Sequence, residues 1–109
     1  MDNTLILWGS ELADGWHGYR NYCPLVIGGE WYFRTGRYRH WAHKTPAQIL
    51  VPNSISPSSY TQNSGLPHQH FLVSGAQAMG LDTSHVGIQH LQTQNGDFID
   101  CTGPLSDLI

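Results

Sequence analysis

Seven histidines stand in a chain of 109 residues, and three pairs have a spacing that chemistry can use: His40 with His43, His68 with His70, and His85 with His90. Imidazole nitrogens bind transition metals and move protons near neutral pH. On an extended strand, His68-x-His70 would point both rings to one side, which is the start of a metal site. Chains meeting on a three-fold axis would then complete an octahedral set of ring nitrogens. No HExxH or CxxC framework accompanies the pair. A transition metal at His68 and His70 therefore rests on those two rings alone, and ordinary polar surface histidine is the more frequent outcome.

Nucleophilic catalysis finds less support. Cys23, Cys101 or a serine beside a histidine would be the raw material, but the chain has no GxSxG elbow and no glycine-rich phosphate loop. Near the C-terminus, a three-residue hairpin loop would oppose His90 to Asp100, the arrangement that orients a general base. A two-residue turn would oppose His90 to Cys101 instead. Such pairs on strands are more often structural than catalytic. The sequence leans away from an enzyme.

The densest chemistry lies in GGEWYFRTGRYRHWAHK, residues 28–44, which holds four of the five basic residues among aromatic ones. Arg20 completes the set. Between positions 20 and 44 Glu30 is the sole acid, for a local charge of +4, whereas residues 45–109 have no Lys or Arg and carry Asp82, Asp97, Asp100 and Asp107. The net charge of −3 hides this division. If Thr35-Gly36 is a hairpin turn, Arg34 opposes Arg37 and Tyr32 opposes Arg39. Opposed residues share a face, so Tyr32, Arg34, Arg37, Arg39 and Trp41 gather on one side, with Trp31, Phe33, Tyr38 and His40 on the other. Opposed arginines repel by some tenths of a kcal/mol, which invites a carboxylate or another anion to offset them. Arg and Trp are enriched at protein-binding hot spots. A pI of about 6.1 and five basic residues argue against nucleic acid.

The elements that must position these residues read as mainly β. Glycine-containing dipeptides at 28–29 and 35–36 separate runs rich in aromatic and β-branched residues, the pattern of a three-stranded meander over about 21–42. Pro46 and Pro52 bracket a short strand near Ile49–Val51. An extended proline- and serine-rich loop follows over about 52–67, and loops of that length usually carry interactions. HFLVSGAQAMGL reads as a strand running into one short helix at Gly75–Met79. Asn95-Gly96 is the strongest turn signal, within a C-terminal hairpin over about 85–102. One domain spanning 1–109 follows, a small antiparallel sandwich or partly open barrel with Val26, Trp31, Phe33, Phe71, Leu91 and Phe98 in its core.

Composition narrows the function. Charged residues make up 12% of the chain, about half the share usual in globular domains, and Ser, Thr, Asn, Gln and Gly supply the polarity. No run approaches the length of about 20 apolar residues that spans a bilayer, and no secretory pattern opens the chain. The expectation is a soluble protein made in a cytoplasm. Opposite charge on two halves suits head-to-tail contact, so the leading reading is a structural or interaction protein that forms homo-oligomers or docks on other subunits. A virion head, connector or tail component is its most concrete form. The second reading is a small protein that captures an anionic ligand or nucleotide on the Arg/aromatic face, such as a phage inhibitor of host defence, with a His-dependent metal enzyme ranked behind it.

Overall fold

The computed structural model describes residues 3–10, 23–41, 46–48, 61–63, 66–92, 96 and 98–109. In chain order these form β1 (Leu5–Trp8), β2 (Leu25–Gly28), β3 (Pro46–Gln48), β4 (Thr61–Asn63), α1 (His68–Ala78), β5 (His90–Gln92) and β6 (Phe98–Asp100), then a 3-10 turn over Ser106–Leu108. The strands pair as three separate antiparallel ladders, β1–β2, β3–β4 and β5–β6. Of β3–β4 only the backbone pairing is described. Among the described residues no closed barrel forms: the protein is β-leaning, with two-stranded antiparallel ladders and one short helix. The expected strand at Ile49–Val51 and most of the 52–67 loop lie outside the described residues.

The three-stranded meander is corrected. Within 23–41 only Leu25–Gly28 is a strand, and its partner is β1. The cause is the glycine pair. Gly28 and Gly29 take φ values of 78° and 69°, a left-handed conformation that glycine enters without steric cost. They coil the chain tightly, so that the amides of Tyr32 and Phe33 both donate to the Gly29 carbonyl, at 2.9 and 2.8 Å. Glu30–Phe33 is thereby a turn, and Thr35-Gly36 closes no hairpin.

β1 and β2 align Leu5 with Gly28, Ile6 with Ile27, Leu7 with Val26, and Trp8 with Leu25. Leu5, Leu7, Val26 and Gly28 thus share one face, and Ile6, Trp8, Leu25 and Ile27 the other. The first face lies toward α1. A Cβ placed on Gly75 would stand 2.6 Å from Leu7 Cδ1, so the glycine lets β1 approach the helix.

α1 starts after Pro67, where a missing N–H costs nothing, and the Pro67 carbonyl accepts the His70 amide. It ends in a Schellman arrangement: Gly80, at φ 83°, donates to Gln77 O at 2.9 Å, and Leu81 donates to Ala76 O at 3.1 Å. The helix therefore takes in the HFLV run expected as a strand, and reaches the expected C-terminal end.

Phe33, Phe71, Val73, Ala78, Cys101 and Leu105 are buried, each large side chain contributing about 1.5–3 kcal/mol. Phe33 and Phe71 stand in the core as expected, Val26 and Leu91 are half-buried, and Trp31 and Phe98 are exposed. Residues 101–109 lace these parts together. The Leu105 amide donates to Ser74 Oγ at 2.8 Å, and that hydroxyl donates to His70 O at 2.8 Å. His70 Nδ1 donates to Gly103 O at 2.9 Å, and the Arg34 amide to Leu108 O at 2.8 Å. The last hairpin adopts the longer-loop register, His90 opposite Asp100 and Gln92 opposite Phe98. Gly96 is left-handed at φ 88°.

Candidate interaction surface

Tyr32, Arg34, Arg37, Arg39 and Trp41 do not line one side of a ribbon, because the ribbon is absent. Tyr32 is half-buried on the turn, its hydroxyl donating to Gln77 Oε1 at 2.7 Å and its ring edge-on to Phe33 at 5.1 Å. Burial raises its pKa above the usual value. Trp31 beside it donates Nε1–H to Ala78 O at 3.0 Å. Both aromatics fasten the turn to α1. Arg39 pairs with Asp107 at 2.7 Å, both side chains remaining half exposed, a contact worth little by itself. The anion that answers this arginine is thus a carboxylate of the acidic half of the same chain. Trp41 is half-buried, while Arg34 and Arg37 are exposed and make no ion pair with any described residue.

The segment between these fastenings is exposed along its length. Its base is held at one end by the Arg34 amide on Leu108 O and at the other by Arg39 on Asp107. Thr35, Gly36, Arg37 and Tyr38 form the tip. Gly36 has φ 69° and open space where a Cβ would project, and Tyr38 is 80% exposed.

His68 and His70 sit on a helix, not on a strand. Residues two apart on a helix point about 200° apart, so the rings leave opposite sides. His70 is buried with Nδ1 committed to Gly103 O. His68 lies against Phe71, ring centroids 5.6 Å apart, and desolvation lowers its pKa. The one-sided geometry that made the pair a metal site is lost, and among the described residues no group of three or more His, Cys, Asp or Glu gathers for a metal. Cys23 and Cys101 are both free, the first exposed and the second buried.

Two features escaped the sequence reading. The first is the outer face of β1–β2: Ile6, Trp8, Leu25 and Ile27 are 39, 66, 49 and 41% exposed. All four are apolar. The available signal was the lack of alternation in LILW and LVI, since an apolar run without polar positions suits a strand covered on both faces. The second is an open groove of about 470 Å³ on the last hairpin, lined by Gln89, His90, Phe98, Asp100 and Thr102. His90, Gln92, Phe98 and Asp100 share its face through their register. His90 meets Phe98 edge-on at 4.9 Å, yet Phe98 is 64% exposed. Asp100 Oδ1 accepts from Thr102 Oγ1 at 2.8 Å and from the Thr102 amide at 3.0 Å. These bonds, the hydroxyl foremost, hold its pKa below the usual carboxylate value. His90 and Asp100 stand directly opposed and form no ion pair with each other.

Compared with protein families, with curated proteins and with solved structures, the chain matches none. Among the described residues no helix is long and apolar enough to cross a membrane.

Proposed function

We propose that this is a structural or interaction protein that works by self-assembly, a subunit of a larger array. A virion head, connector or tail component remains its most concrete form. The observation that carries the reading is the outer face of β1–β2. A two-stranded ladder is marginal by itself in water, and this one has one face on α1 and four apolar side chains on the other. Contiguous exposed apolar surface on one sheet face commonly marks a protein contact. The scarcity of charge suits the same role, since little must be desolvated when copies meet.

The test is the concentration dependence of mass by sedimentation velocity, in low and high salt. Self-association that persists in high salt is expected, because apolar burial is not screened. Ile27→Asp, which places a carboxylate on this exposed apolar face, should leave far-ultraviolet circular dichroism unchanged and abolish the association that persists in high salt. A wild-type protein that stays monomeric at all concentrations and salts would refute the reading.

A further inference from the structure

Resting on that self-assembly reading, we propose a second contact: the Arg37–Tyr38 tip of one copy docks in the Gln89/His90/Phe98/Asp100/Thr102 groove of another. Exposure and charge both favour this occupant. The tip is a short, exposed, cationic and aromatic segment, attached on either side by the Arg34 amide on Leu108 O and by Arg39 on Asp107. The groove offers what such a segment requires. Asp100 is an exposed carboxylate on the groove wall with Oδ1 bonded to Thr102, and Phe98 supplies an exposed ring beside it. A guanidinium seated there gains a charge-assisted hydrogen bond and a cation–π contact together. The Arg39–Asp107 pair is the same recognition made within one chain. Tip and groove are different surfaces, so the contact is heterologous: it propagates into a ring or an open filament unless something caps it. It also gives the divided charge of the sequence a use, with the basic segment of one copy meeting the acidic half of the next.

The experiment uses the full chain and sedimentation velocity at low salt. Arg37→Glu disables the tip; Asp100→Asn disables the groove while keeping an oxygen that accepts the Thr102 bonds. Both positions are exposed, and circular dichroism checks each fold. Each variant alone should associate at least tenfold more weakly than wild type, and high salt should weaken wild-type association in part. With Ile27→Asp added to both, so that the apolar face is silent, an equimolar mixture should form a capped heterodimer, one intact tip in one intact groove, and nothing larger. Wild-type oligomers insensitive to Arg37→Glu and Asp100→Asn would overturn this contact and leave the apolar-face reading standing. Loss of assembly in Arg37→Glu that added inorganic phosphate or acidic peptide reproduces in wild type, with no heterodimer in the mixture, would assign the tip to another anionic partner and overturn it equally.

Discussion

Ser74 Oγ accepts the Leu105 amide at 2.8 Å while its own proton goes to the His70 carbonyl, also at 2.8 Å. One fully buried hydroxyl therefore joins the middle of α1 to the C-terminal segment. Ser74→Ala removes the acceptor and leaves the Leu105 N–H buried without a partner. An unmade buried bond of this kind costs about 1–3 kcal/mol. Urea unfolding should show a lower midpoint with an unchanged slope, and a shift below 0.5 kcal/mol would mean that the segment is not held this way.

Gly29→Ala and Gly36→Ala separate backbone strain from packing. Both glycines have φ of 69°, where a Cβ costs about 1–2 kcal/mol. At Gly29 that Cβ would also stand 2.8 Å from Leu5 Cδ1 and 3.1 Å from Phe33 Cδ2, whereas at Gly36 it would meet nothing within 4 Å. Both variants should lose stability, Gly29→Ala by more. Equal losses in thermal or urea melts would remove the packing contribution.

The two thiols should behave differently. Cys23 is exposed and Cys101 fully buried, and burial, followed by the nearby Asp100 charge, pushes the Cys101 thiol pKa up. Native protein should therefore release one equivalent of chromophore rapidly with a disulfide reagent, and the second at the rate of opening. The sign for stability follows. The folded thiol resists ionisation, so above the ordinary thiol pKa of about 8.5 the unfolded chain ionises first and stability declines as pH rises. Cys101→Ala should flatten that alkaline decline, though it introduces a cavity cost of its own.

Asp100 contributes to an acidic limb. Its folded pKa lies below the unfolded one because Thr102 bonds to the carboxylate. Its contribution is present above the unfolded value of about 3.9 and fades as pH falls through the folded value. Thr102→Val removes the hydroxyl donor and should move the Asp100 carboxyl titration, followed by carbon NMR, upward toward the ordinary range. An unmoved titration would show that the hydroxyl bond does not form in solution.

Some of this was legible in the residues. Asn95-Gly96 marked the last hairpin, and the register found is one of the two that its loop allowed. The helix end expected at Met79 falls within one residue of that of α1, Ala78. The start was concealed because the buried stripe at 71, 74, 75 and 78 has helical spacing but is written mostly in serine, glycine and alanine. A search for large apolar residues passes over such a stripe, whereas close packing against Leu7 requires it. Gly28-Gly29 alone suits a hairpin turn, because two glycines fit one. Whether such a pair reverses a ribbon or starts a coil depends on which strand is available to pair, and that was β1, some twenty residues earlier. The exposed apolar ladder face was visible only as missing alternation, and the groove required a register that pairs residues ten apart.

The turn at 31–32, strand β1 and the C-terminal segment all fasten to the same eleven residues, His68–Ala78. Such a hub makes these three parts rise and fall together. Amide protons in the turn, in β1 and at Leu105 should exchange with solvent through one shared opening event, so that a lesion anywhere on the helix loosens distant contacts at once.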